Sequence, residues 1–170
     1  MRILCLVGAY ALVACGGSDS NDNGAGARTV WPSDAMKLVA TDSGGGHVPQ
    51  PPAGSECALS EATYTLTVAG HTLDWVFCVA GAATSDPYKK QTGTRALSEA
   101  EYAQAEVALK ALKVVTQAGC GADKSLRKVF VTTARGEFEY VDSFYFCQGG
   151  GKTYVDNIDG VFTALNQLSH

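Results

Sequence analysis

The sequence predicts an α+β fold: an antiparallel sheet of two hairpins with two helices on one face, a two-layer sandwich in the order β-β-α-β-β-α. Residues 63–79 and 127–146 alternate apolar and polar side chains around glycine-containing turns, which is the period of paired strands. Residues 99–118 and 155–168 space their apolar side chains by three and four, which is the period of amphipathic helices. Cys57, Cys78, Cys120 and Cys147 flank the two hairpins and predict two staples.

At the N-terminus, Arg2 is the sole charge before Asp19, and Ile3 to Ala14 are apolar or small. Such a run is a secretory signal and is too short to span a bilayer. Leu12-Val13-Ala14-Cys15 closes the run and resembles the lipobox of bacterial lipoproteins. The resemblance implies cleavage before Cys15, a diacylglyceryl thioether on its sulfur and acylation of its new N-terminus. Several acyl chains anchor a protein stably where one does not. Gly16, in place of an aspartate that retains lipoproteins at the inner membrane, implies the outer membrane. The alternative is an ordinary secreted protein.

Residues 1–14 hold only one charge, so the rest of the chain carries twelve Lys and Arg against seventeen Asp and Glu, a net of −5. An acidic domain has no electrostatic footprint for nucleic acid. The divisions expected are a leader over 1–14, the lipidated cysteine and a flexible tether over 15–27, an extended segment with one possible strand over 28–56, and a stapled domain over 57–170. Within the tether, Asp19-x-Asn21-x-Asn23-Gly24 copies half of a calcium loop. Val30 stands where the bidentate glutamate belongs, so no metal is expected.

Met36 to Thr41 alternates as the possible first strand, with Met36, Leu38 and Ala40 on one side. Gly44-Gly45-Gly46-His47, followed by Pro49, Pro51 and Pro52, predicts an exposed loop; no Lys-Ser/Thr follows, so it is no phosphate loop. The first hairpin runs over 63–69 and 72–79 and turns at Gly70-His71, with His71 a solvated turn residue. Residues 80–96 predict a long exposed loop that clusters Lys89, Lys90 and Arg95 beside Tyr88.

Ser98 and Glu101 form a capping box for the first helix, Leu97 can staple onto Tyr102, and Gly119 is the expected C-cap. The second hairpin pairs residues 127–133 with 137–146, turning at Ala134-Arg135-Gly136. The long strand 137–146 carries aromatics on both sides, so it is either central and covered twice or partly open to a partner; Asp142-Ser143 marks a bend. Ile158, Val161, Phe162, Leu165 and Leu168 line one face of the last helix. Hairpin register pairs Cys57 with Cys78 and Cys120 with Cys147, each closing the mouth of its own hairpin.

No nucleophile elbow, zinc-protease pattern or free cysteine offers a catalytic residue, and no cofactor is expected. Asp74 and Asp142 are the one carboxylate pair worth weighing as general acid and base. The order Ser43-Gly44-Gly45, the Ser98–Gly119 helix, Ala122-Asp123-Lys124, a hairpin and a short last helix resembles the small emfourin-type inhibitors of thermolysin-like metalloproteases. Gly46 stands where their phenylalanine would be. The four cysteines and long first hairpin instead resemble the disulfide-bridged subtilisin-inhibitor proteins. Neither resemblance carries a reactive residue across; both imply protease inhibition. The expectation is a non-enzymatic, lipid-anchored envelope protein that binds a protein partner, a protease being the most concrete. Its contacts would be Gly44, Gly45, Gly46, His47, Tyr88, Lys89, Lys90 and Arg95. The alternatives are an assembly lipoprotein that docks through the 138–146 strand, and a small hydrolase.

Overall fold

The computed structural model describes residues 29–44, 50–121, 123–148 and 150–170. The chain has mixed α+β content, with an eight-stranded sheet and two helices. The strands are β1 (Ala35–Ser43), β2 (Glu61–Thr67), β3 (Thr72–Val79), β4 (Lys89–Ala96), β5 (Lys113–Val115), β6 (Arg127–Thr133), β7 (Gly136–Asp142) and β8 (Thr153–Asp156). Helix α1 (Glu99–Lys110) follows β4, and α2 (Ile158–Leu168) follows β8. The spatial order is β4-β3-β2-β1-β6-β7-β8-β5, antiparallel except where β7 meets β8.

The chain therefore has more strands than the β-β-α-β-β-α order allows. β1 is central, between β2 and β6, which makes the 28–56 segment part of the sheet. A register shift between Ala35 and Lys37 turns Ala35 inward and leaves Met36 48% exposed, against the expected alternation. Leu38 and Ala40 of β1, Leu66 of β2, Leu73 of β3 and Val129 and Val131 of β6 share one core with Tyr102, Ala105 and Leu109 of α1 and Ile158, Val161 and Leu165 of α2. These strand residues define the inner face. Trp31 joins the same core, and its indole N–H donates to Glu106 Oε1 at 3.4 Å.

Helix α1 starts as expected. The Ser98 hydroxyl accepts from the Glu101 N–H, and the Glu101 carboxylate accepts from the Ser98 N–H at 2.8 Å. It stops at Ala111 and not at Gly119. The β-branched Val114 and Val115 pair with β8, and the Asn157 side-chain amide donates to the Ala111 carbonyl at 2.9 Å. Strand β7 ends at Asp142, whose Oδ1 accepts from the Phe144 N–H at 3.0 Å and bends the chain into a 3-10 helix over Ser143–Gln148. Phe144, Tyr145 and Phe146 thus leave the expected strand. Residues 153–156 form β8, not helix, because Asn157 at φ 67° breaks the chain before α2.

Two cysteine pairs lie at disulfide distance: Cys57 with Cys78, Cα atoms 5.8 Å apart, and Cys120 with Cys147, 5.7 Å apart. Among the described residues no helix is long and apolar enough to cross a membrane.

Candidate functional site

One end of the sheet gathers both disulfides, the longer connections and the densest charge. Strand directions place there the end of β1, the start of β2, the end of β3, the starts of β4 and β6, and the end of β7. The opposite end holds the tight turn at Gly70-His71, where both residues have positive φ, and the Gly136 turn.

On the outer face at the stapled end, a cleft of about 240 Å³ lies beside Cys57–Cys78. Thr41, Thr63 and Val76 form its floor, and Glu61 and Lys90 line it with charge of both signs. Its wall is built from residues 55–57 and 88–90. The Glu56 N–H donates to the Tyr88 carbonyl at 3.0 Å, the Tyr88 N–H to Ser55 Oγ at 2.9 Å, and the Lys90 N–H to Glu56 Oε2 at 3.2 Å. Lys89 Nζ meets Glu56 Oε1 at 2.9 Å, and these bonds from Lys89 and Lys90 hold the Glu56 carboxyl below the ordinary range. Tyr88 is buried against the two cysteines, so it is a wall residue and not the exposed contact the sequence suggests.

Gly44 sits at the end of β1 with φ 74°. Its N–H donates to Asp42 Oδ1 at 3.2 Å and its carbonyl accepts from the Leu126 N–H at 3.1 Å. A Cβ there would lie 2.8 Å from Ser60 Oγ, so the position suits glycine on both counts. Gly45, Gly46 and His47 lie outside the described residues, as do Cys15 and the Asp19–Gly24 half-loop. Lys89, Lys90 and Arg95 belong to β4, which shortens the expected 80–96 loop to residues 80–88. Arg95 is also remote from the cleft. It pairs with Glu101, and its Nη1 donates to the His170 carbonyl at 3.0 Å.

Toward β7 the inner face carries a continuous chain of ion pairs. Asp42 meets Arg127 at 2.9 Å, Arg127 meets Asp159 at 2.6 Å, Asp159 meets Lys124 at 2.7 Å, and Lys124 meets Asp142 at 2.5 Å. Asp42 and Asp142 are 7% and 3% exposed, so their charges need these partners. Burial alone would raise Asp159, but hydrogen bonds from Lys124 and Arg127 outweigh it and lower its pKa. Burial likewise opposes the charge on Lys124, and its bonds to Asp142 and Asp159 win and raise it. Arg127 also lies 4.8 Å from the centre of the Phe162 ring, a cation–π contact. Tyr145 donates its hydroxyl to the Lys124 carbonyl, and its pKa is raised by burial and then by the Asp142 charge.

A second cleft of about 380 Å³ touches this chain at Lys124, Asp142 and Asp159. Lys124, Asp142 and Asp159 are committed to one another there, and Asp156, which also lines the cleft, is exposed. A general acid near neutral pH needs a raised carboxyl pKa, whereas Asp159 is lowered. Asp74 and Asp142, the weighed pair, are not brought together. Asp74 lies on the outer face of β3, Asp142 on the inner side of β7, with β2, β1 and β6 between.

His71 is not a solvated turn residue either. Its ring stacks on Tyr102 with centroids 3.9 Å apart, and Nδ1 lies 3.5 Å from Glu99. No group of three or more His, Cys, Asp or Glu placed to hold a metal occurs among the described residues. The ion-pair chain was missed in the sequence, although one signal was present: Leu38, Ala40 and Asp42 alternate, which sets a carboxylate on a core-facing position.

No family model matches the chain, and no curated protein or solved structure does.

Proposed function

We propose that this chain is a non-enzymatic binding module of the cell envelope, a two-layer α+β sandwich tethered to a membrane through acyl chains on Cys15. Its partner is a protein, and a protease is the most concrete class. The observation that carries the reading is the outer-face cleft at one sheet end, lined by Cys57, Cys78, Glu61 and Lys90, with Gly44 and the bonded 55–57 and 88–90 segments at the same end. A stapled, pre-ordered surface loses little entropy on binding, which favours recognition by rigid contact. The neighbouring acids and bases neutralise one another, as a structural role requires. The assembly alternative relied on a strand over 138–146. That strand stops at Asp142, and the face it would offer is reduced to the part around Phe138, which is 41% exposed.

Two measurements test this function. Fatty-acid labelling of the producing cells marks the wild-type chain and not Cys15→Ser; equal labelling of both removes the anchor from the account. Titration of the oxidised full chain against secreted serine and metalloproteases gives stoichiometric loss of activity for one of them, weakened by Lys90→Glu. Absence of inhibition across the panel removes the protease from the account.

A further inference from the structure

The β4 edge of the sheet is self-complementary, and we infer that two copies of this chain pair through β4 to form one continuous sheet. The Leu97 N–H donates to the His71 carbonyl at 2.8 Å, so His71 and Leu97 are a hydrogen-bonded pair of the antiparallel ladder. Alternation then gives the same status to Arg95 with Leu73, Gly93 with Trp75 and Gln91 with Phe77. Tyr88, Lys90, Thr92, Thr94 and Ala96 therefore direct their backbone groups away from β3. The first two have partners in Ser55 and Glu56, which behave as the start of a neighbouring strand and then stop. Among the described residues no hydrogen bond reaches the N–H or C=O of Thr92 or Thr94.

This stretch lacks the usual protections of an edge. It has no proline and no bulge against β3. Of its flanking charges, Lys89 is engaged with Glu56 and Arg95 with Glu101, while the Lys90 side chain stands at the outer-face cleft.

The register points to a second copy as the occupant. A two-fold axis normal to the sheet at Gly93 keeps inner and outer faces aligned. It sets Thr92 opposite Thr94 of the other copy in hydrogen-bonded pairs, with Gln91 opposite Arg95; the ladder ends there, because Glu56 already holds the Lys90 N–H. Threonine pairs are favourable across strands, and no like charges face each other. An axis at Thr92 would oppose Lys89 and Arg95, and an axis at Thr94 would crowd the start of α1 at Glu99. Within one copy the glycine at this axis is required by Trp75. The Trp75 indole lies over Gly93, where any Cβ would overlap the ring. With strands about 4.8 Å apart, two such indoles meet over the Gly93–Gly93 centre and bury each other.

Sedimentation equilibrium of the full oxidised chain, purified as cells produce it, tests the pairing. The expected result is a reversible dimer whose dissociation constant rises at least about tenfold in Thr94→Pro, which removes an outward N–H that β3 does not use. Thr92→Lys, which places new cations beside the axis without touching the ladder, is the second variant and weakens the dimer likewise. Circular dichroism and thiol titration establish that each variant is folded and stapled. A monomeric wild type, or association equally strong in both folded variants, would overturn the pairing.

Discussion

Arg127 is the residue on which the buried charge of Asp42 depends. It neutralises Asp42, reaches Asp159 and covers Phe162. Arg127→Ala leaves Asp42 buried without its cation and is expected to cost about 2–3 kcal/mol, below the full buried-pair range because Arg127 retains some exposure. Urea denaturation of the oxidised protein measures this. The pH dependence follows from the same chain. Asp159 has its folded pKa lowered, so its stabilisation is present above the unfolded carboxylate value, about 3.9, and is lost as pH falls through the folded value. Lys124 has its folded pKa raised, so its stabilisation holds below about 10.4 and is lost as pH rises through its folded value. Stability should be flat across neutral pH and fall in acid, and Asp159→Asn should shallow the acid limb. Thermal melts across pH test both statements. In the sequence Asp159 reads as a helix-dipole residue, because only tertiary structure brings Lys124 and Arg127 to it.

At the scale of elements, legibility follows burial on one face. Strands β1, β2, β3 and β6 bury one face and leave the other open, so alternation reveals them. β4 is exposed on most of its length and carries Gly93 where an apolar inner residue would stand, so it leaves no period to read and resembles a loop. Helix α1 shows its start through a local capping box. Its end is invisible because Leu112 and Val115 continue the helical spacing while tertiary pairing with β8 takes Lys113–Val115 into the sheet. Val155 and Asp156 are read into the last helix for the same reason. Ser98→Ala removes one cap bond and is expected to cost about 1 kcal/mol in the same urea titration. Glu101 retains its contact with Arg95 in that variant, so the loss should stay near this figure.

For the whole molecule, Cys57–Cys78 ties the connection before the first hairpin to its second strand, β3, and Cys120–Cys147 ties the connection before the second hairpin to the 3-10 helix after β7. The pairing is legible in the sequence because hairpin register is local. The gathering of both pairs at one end is not, since it depends on β1 inserting between the hairpins. Replacing Cys57 and Cys78 by alanine should cost about 3–4 kcal/mol in the chain-entropy account and loosen the wall around Lys90. Replacing Cys120 and Cys147 should cost a similar amount while leaving that wall intact. If the cleft beside Cys57–Cys78 is the contact surface, the first change weakens partner binding and the second does not.

Photo-cross-linking in the intact envelope tests that surface most directly. Cross-linking residues would be placed at Lys90 and Glu61 beside the cleft, and at Glu137 and Arg135 at the far end of the sheet. The account predicts adducts to one common partner from Lys90 and Glu61 and none from Glu137 or Arg135. Adducts confined to the far end, or no adduct from the stapled end, would contradict it.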